Sequence, residues 1–160
     1  MKKQNTRMAP VSTYNRCLNK VMQYATKKGI TVNPNSRTFL YLEEDNLINL
    51  SNKCKGQYKY ICFFLHELGH AIQPDSIFHK LKYQTHNINK LIIFEQEYTA
   101  WVLGYQIAKR LHIDNTIRDT YFKEASLALG SYMTYLHKGK KEVIAHIAKN
   151  GYPAVGIDPI

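Results

Sequence analysis

Two histidines four residues apart, with a glutamate directly after the first, stand in Phe64-Leu65-His66-Glu67-Leu68-Gly69-His70-Ala71. On an α-helix, residues four apart lie one above the other, so His66 and His70 can turn both imidazoles to one metal ion. Glu67 is one step round the helix, beside that ion rather than beneath it. Two imidazoles, an acidic third ligand and a water make the open tetrahedral set of a catalytic zinc site. Zinc lowers the pKa of its water to near neutrality, and Glu67 is placed to take the proton as general base while a carbonyl is attacked. The chemistry expected is hydrolysis through a metal-activated water, most simply of a peptide bond.

The motif is short. Seven histidines and seven glutamates in 160 residues would produce it by accident in roughly one or two such chains per hundred, so its surroundings matter. Ile61, Leu65, Leu68 and Ile72 give the helix an apolar side. Gly69 costs a helix about 1 kcal/mol relative to alanine, which a close approach of another element would explain.

A third ligand must come from elsewhere. The extended pattern HExxHxxGxxH is excluded, because Gln73 and Ser76 occupy its later positions. The other source is a glutamate on a following helix, and both Glu95 and Glu97 stand in Phe94-Glu95-Gln96-Glu97-Tyr98-Thr99-Ala100-Trp101. Two residues span roughly 200° of helix, so the pair does not share one ion. Glu97 falls on an apolar or small stripe with Ile93, Ala100, Trp101, Gly104, Ile107, Ala108 and Leu111. A carboxylate there needs a partner, since burying an unpaired charge is costly; a metal ion supplies one, and so would a lysine or arginine. Glu95 shares a mixed face with Thr99, Val102 and Gln106, which suits a surface or supporting position. The ligand set expected is His66, His70 and Glu97, with His79 and His86 as alternatives to Glu97. His112, His137 and His146 fall near helix ends, where the dipole alone favours a cation. Tyr83, Tyr98, Tyr105, Tyr132 and Tyr135 are all candidate transition-state donors that the sequence does not separate.

These side chains need elements to hold them. Tyr14, Leu18, Val21, Met22 and Ala25 predict a helix over 14–28, capped by Ser12 or Thr13 and stopped by Gly29. Asn33-Pro34-Asn35-Ser36 reads as a turn. Thr38–Leu42 and Leu47–Leu50 flank Glu44-Asp45-Asn46 and predict an antiparallel hairpin. The motif helix should run over about 57–73, stopped by Pro74, and residues 74–88 read as irregular. Further helices are expected over about 89–111, from Asp114 or Asn115 to about His137, and near 140–149. The fold class expected is α+β, mostly helical with a small antiparallel hairpin or sheet. Residues 1–160 should form a single domain, with 1–10 as a tail and 113–160 as a helical C-terminal extension.

Composition narrows the classes. Hydrophobic residues at 44% and charged residues at 21% exclude a disordered chain. The longest apolar run, Ile61–Leu65, is far short of the ~20 residues that cross a bilayer. No apolar stretch follows Lys2-Lys3, so the expectation is a cytoplasmic protein without membrane contact, its cysteines (Cys17, Cys54 and Cys62) reduced. Lys+Arg 22 against Asp+Glu 12 leaves +10, scattered in small clusters. That balance favours an acidic partner and allows nucleic acid.

A helix, a hairpin ending in Ile48-Asn49-Leu50-Ser51, then His66-Glu67-Leu68-Gly69-His70, then Glu97 with Ala100 and Trp101 on a following helix: this order resembles the ImmA/IrrE-type zinc metallopeptidases of bacteria, phages and integrative elements. The resemblance covers about residues 12–112. Tyr98-Thr99 and Trp101-Val102 stand where members often carry Ala-Asn and Phe-Ala, and no fused helix-turn-helix is evident. It implies a zincin-like minimal metallopeptidase core of the gluzincin kind, with Zn2+ on His66, His70 and Glu97. It also implies a cytoplasmic peptidase acting on a protein substrate such as a transcriptional regulator. Two other readings stay open. One is a non-catalytic basic protein- or DNA-binding module with a metal-stabilised fold. The other is a SprT-like nucleic-acid-associated metalloprotease in which His79 or His86 replaces Glu97.

Overall fold

The computed structural model describes residues 12–73 and 86–137. Helix α1 (Thr13–Lys27) starts where Ser12 Oγ accepts the Asn15 N–H, and it buries Cys17, Val21 and Ala25 along one face. Gly29 ends it at φ +70°. Ile30 N–H then donates to Ala25 and Gly29 N–H to Thr26, closing the last turn as a Schellman motif.

Three strands follow: β1 (Thr31–Ser36), β2 (Leu40–Leu42) and β3 (Leu47–Ser51), in the order β1-β3-β2. β2 and β3 form the expected antiparallel hairpin, with Tyr41 opposite Ile48. Asn46, at φ 45°, completes its turn. β1 runs parallel to β3, so the sheet is mixed. The segment read as a turn at Asn33–Ser36 is therefore strand. Pairing with β3 overrides the local turn chemistry. β1 is an edge strand whose register slips between Asn33 and Ser36, and Pro34 sits in that irregular stretch, where a missing N–H costs least.

A 3-10 turn (Asn52–Cys54) leads into helix α2 (Tyr58–Ile72), which carries the motif. Nine consecutive or near-consecutive residues of α2 are buried, from Tyr60 to Gly69, because the helix has neighbours on every side. The sheet and α1 pack on it, and α3 (His86–Arg110) and α4 (Asp114–His137) cover the rest. Ile48 and Leu50 of the sheet meet Ile61, Phe64, Leu65 and Leu68 of α2 in one core that continues through Trp101, Ile107, Ile117, Tyr121 and Leu129. Tyr121 on α4 donates its hydroxyl to the Trp101 carbonyl at 2.6 Å, so its burial is satisfied. The architecture is a mostly helical α+β fold with a small three-stranded sheet. The long helix begins at His86, three residues before the expected start. Ile93, expected on the buried stripe, is 38% exposed, because no described element covers that turn of α3. The expected tail at 1–10 and the helix near 140–149 lie outside the described residues.

Candidate metal centre

The two central helices cross almost backbone to backbone. A Cβ on Gly69 would overlap the Ala100 carbonyl, and one on Gly104 would lie 2.5 Å from the Leu65 carbonyl oxygen. The close approach anticipated from Gly69 thus exists, and Ala100 and Gly104 are its counterparts on α3. It brings Glu97, one turn before Ala100, against the exposed ends of the two imidazoles.

His66 Nε2 and His70 Nε2 are 3.2 Å apart. Glu97 Oε2 lies 3.1 Å from the first and Glu97 Oε1 3.4 Å from the second. Donors around a tetrahedral ion with bonds of 2.0–2.2 Å are about 3.3–3.6 Å apart, and each imidazole lies near that distance from the other and from one oxygen of Glu97. Nitrogen and carboxylate donors converging at that spacing fit a divalent cation. Of the two glutamates, Glu97 joins the histidines, while Glu95 is exposed on the other side of α3. His86 opens α3, His112 is exposed at the far end of α3, and His137 closes α4; His79 and His146 lie outside the described residues.

Neighbours hold these side chains in place. Gln73, just past the end of α2, donates its amide N–H to the Gln96 carbonyl of α3. Its Oε1 therefore faces His70 Nδ1 at 3.4 Å and accepts from it, which turns His70 Nε2 towards His66 and Glu97. The His66 ring stacks on Trp101, with centroids 4.3 Å apart and planes 22° apart. His66 Nδ1 and Trp101 Nε1 are buried without a hydrogen-bond partner among the described residues.

Glu67 is buried beside the triangle, and its Oε2 accepts the Tyr41 N–H of β2 at 2.8 Å. Burial pushes its carboxyl up to about 7, against the pull of His70 and of that N–H. Burial also pushes Glu97 up, but the hydrogen bonds from His66 and His70 outweigh it and bring Glu97 down to about 2. Burial depresses His66. It works the same way on His70, but the Glu97 carboxylate overcomes it and holds His70 above its ordinary value. Tyr132 of α4 donates its hydroxyl to Glu97, and burial, with the nearby carboxylates, pushes it up to about 12.

These directions fix the sign of a proton linkage. At pH 6 the metal-free centre carries protons on Glu67, held up to about 7, and on His70, raised above its ordinary value, while Glu97, brought down to about 2, is ionised and burial disfavours the charged form of His66. An arriving cation displaces the His70 proton and repels that of Glu67. Metal uptake should release protons at pH 6 and progressively fewer towards pH 8, with apparent affinity rising over that window. Calorimetry in two buffers of different ionisation enthalpy counts the protons, and a release that does not shrink between pH 6 and 8 contradicts this assignment.

Sequence reasoning did not single out Tyr41 or Gln73 as partners of the centre, and it left Tyr132 among five tyrosines. Gln73 had a signal, three residues past His70 at a helix end. Tyr98 packs against the core and Tyr105 stacks on Tyr121 and Phe122; Tyr132 shares a cavity of about 330 Å³ with His66, Glu67, His70 and Glu97. All three cysteines are free thiols. Among the described residues no helix is long and apolar enough to cross a membrane. No family model, curated protein or solved structure matches the chain. What it carries is a His-Glu-x-x-His set with a downstream Glu, buried and arranged as in a generic zincin-like metal site.

Proposed function

We propose that the chain is a zinc-dependent peptidase, with His66, His70 and Glu97 as ligands and Glu67 as general base. The observation that carries this reading is one juxtaposition: the donor triangle, the Glu67 carboxyl and the Tyr132 hydroxyl all face a single cavity bordered by β2. Zinc held there would acidify a water and polarise a carbonyl group. Glu67 takes the proton. The Tyr41 N–H anchors one of its oxygens and leaves the other to act. Burial raises its carboxyl above the ordinary carboxylate range in the metal-free centre, which makes it a better proton acceptor than an exposed glutamate. Tyr132 stays protonated through that range and supplies a hydrogen-bond donor for the negative charge that develops on the attacked oxygen.

A polypeptide is the substrate because the cavity runs along an edge strand. Among the described residues β2 pairs only with β3, and such an edge accepts an extended chain beyond the Tyr41 N–H that Glu67 already holds. The resemblance to ImmA/IrrE-type enzymes extends the reading to a cytoplasmic single-domain enzyme whose target is a protein, with a transcriptional regulator as the first candidate.

The test is metal content together with hydrolysis. The chain, purified without a histidine tag, should hold about one zinc, kept in Glu95→Ala and lost in Glu97→Ala. Cleavage of an unfolded protein such as casein should stop with a chelator and return with zinc. A folded wild-type sample that refuses added zinc overturns the reading.

A further inference from the structure

Beyond the donor triangle a second cavity of about 470 Å³ opens off the centre. One wall is aromatic and continuous with a metal-site imidazole. Phe39 packs on Phe63 at 5.0 Å, Phe63 on Trp101 at 6.0 Å, and Trp101 on His66 at 4.3 Å. The rim is cationic. Arg37 comes from the loop between β1 and β2, Lys53 from the 3-10 turn, and Lys59 from the first turn of α2. The only carboxylates lining this cavity are Glu67 and Glu97 of the centre itself. No ion pair engages Arg37, Lys53 or Lys59 among the described residues. Three cations from three separate elements line one cavity; Glu124 acts on its wall from α4 through Cys54 but forms no ion pair with them among the described residues, so the rim keeps a net positive charge that favours an acidic group.

We propose that this cavity selects the substrate, taking a bulky apolar side chain next to the scissile bond and an acidic side chain three or four residues further along. The proposal rests on the peptidase reading and names the class of sequence such an enzyme cuts. The spacing comes from α2. Lys59, Phe63 and Glu67 are four apart and share one face, so Lys59 lies about 12 Å along the helix from the general base. Helical side chains lean towards the N-terminus, which carries the Lys59 ammonium outward rather than back to the centre. An extended peptide advances about 3.3 Å per residue, so three or four residues cover that distance. The aromatic wall lies between, where the apolar side chain sits. A nucleic acid could stack a base on the aromatic wall, but its phosphates would have to run past Glu67 and Glu97, where a neutral peptide bond meets no such repulsion.

Trp101 is the only tryptophan of the chain and lines this cavity, so its fluorescence reads occupancy without any catalysis. The probe is a capped octapeptide with Phe at position 4 and Asp at positions 7 and 8, rapidly mixed with the zinc-loaded full chain and read before turnover. It should change the Trp101 signal and bind at least 10-fold more tightly than the same peptide with Lys at 7 and 8. Lys59→Glu with Arg37→Glu should erase or reverse that preference. The peptide pair needs no variant to fold, so the comparison stands even if the charge reversal destabilises the protein. Mass-spectrometric mapping of cuts in a mixed peptide library should show acidic residues enriched three or four positions from the bond. Binding with the acidic preference but no cleavage supports the subsite and overturns the peptidase reading. Cleavage or binding with no acidic preference overturns the subsite and leaves the peptidase reading standing. No binding, or tighter binding of a single-stranded oligonucleotide of equal charge, also overturns the subsite.

Discussion

Glu67→Gln should keep about one metal per chain and lose hydrolysis, kcat falling by roughly 10²–10⁴-fold, the usual worth of a general base. The substitution is close to isosteric. Gln retains an oxygen that can accept the Tyr41 N–H, so the contact between α2 and β2 survives. It touches none of the three ligand atoms. What it removes is the capacity to take a proton. Stability provides an internal control. Burial raises the Glu67 carboxyl from 4.5 to about 7 in the metal-free protein. A raised carboxyl makes the ionised form the unfavourable one, so the penalty is absent below the unfolded value and fully present above about 7. At pH 8 the amide escapes a cost of order 1–3 kcal/mol. Metal-free Glu67→Gln should therefore melt no lower than wild type at pH 8, and the advantage should vanish by pH 4. Tyr132→Phe, assayed alongside, should also keep the metal and lose about 10²–10³-fold in kcat. The pH profile separates the two: it keeps its shape without the tyrosine hydroxyl and changes shape without the carboxylate. Retained activity in Glu67→Gln on any substrate the wild type cuts would sink the assignment.

Gly69→Ala should be the most damaging small substitution in the chain. Helix propensity alone predicts a gain of about 1 kcal/mol. The added methyl, however, meets the backbone of Ala100, and a backbone cannot rotate aside as a side chain would. The helices must part instead, and overpacking of this kind costs up to about 3 kcal/mol or more. At roughly 2–4 °C per kcal/mol for a chain of this size, the melting temperature should fall by about 4–12 °C. Metal affinity should fall with it, because parting α2 from α3 carries Glu97 away from His66 and His70. Gly104→Ala should behave likewise, held to the Leu65 carbonyl at 2.5 Å, though the Tyr121 hydroxyl on its other side can move. Thermal unfolding and zinc titration check both effects. A Gly69→Ala protein as stable as wild type would mean the helices do not meet at this point.

Much of the centre was legible because it depends on helix geometry alone. His66 and His70 share a face in any fold that keeps α2 helical, and the stripe around Glu97 separated it from Glu95 before any contact was known. Ser12 and Gly29 punctuate α1 through backbone chemistry that acts within a few residues, and the α2 and α4 boundaries agree to within one residue. Ile93 shows the limit of the same reasoning, since periodicity marks a face but not whether anything lies against it.

Neighbours along the chain carry helices α1 to α4, the hairpin, the paired imidazoles and the charge of +10. The remaining features join residues with no local relation, and folding alone brings those together. β1 is a strand because β3 pairs with it; Asn33-Pro34-Asn35 has no strand preference of its own. Tyr132 was one tyrosine among several until α4 folded back over α3 and set its hydroxyl on Glu97. The Tyr41 N–H reaches Glu67 across 26 residues of sequence, and Gln73 reaches Gln96 across 23. Arg37, Lys53 and Lys59 are scattered surface cations in the sequence and one rim in the fold. Spacing along a helix is a property of covalent geometry, whereas these meetings depend on which faces the core brings together.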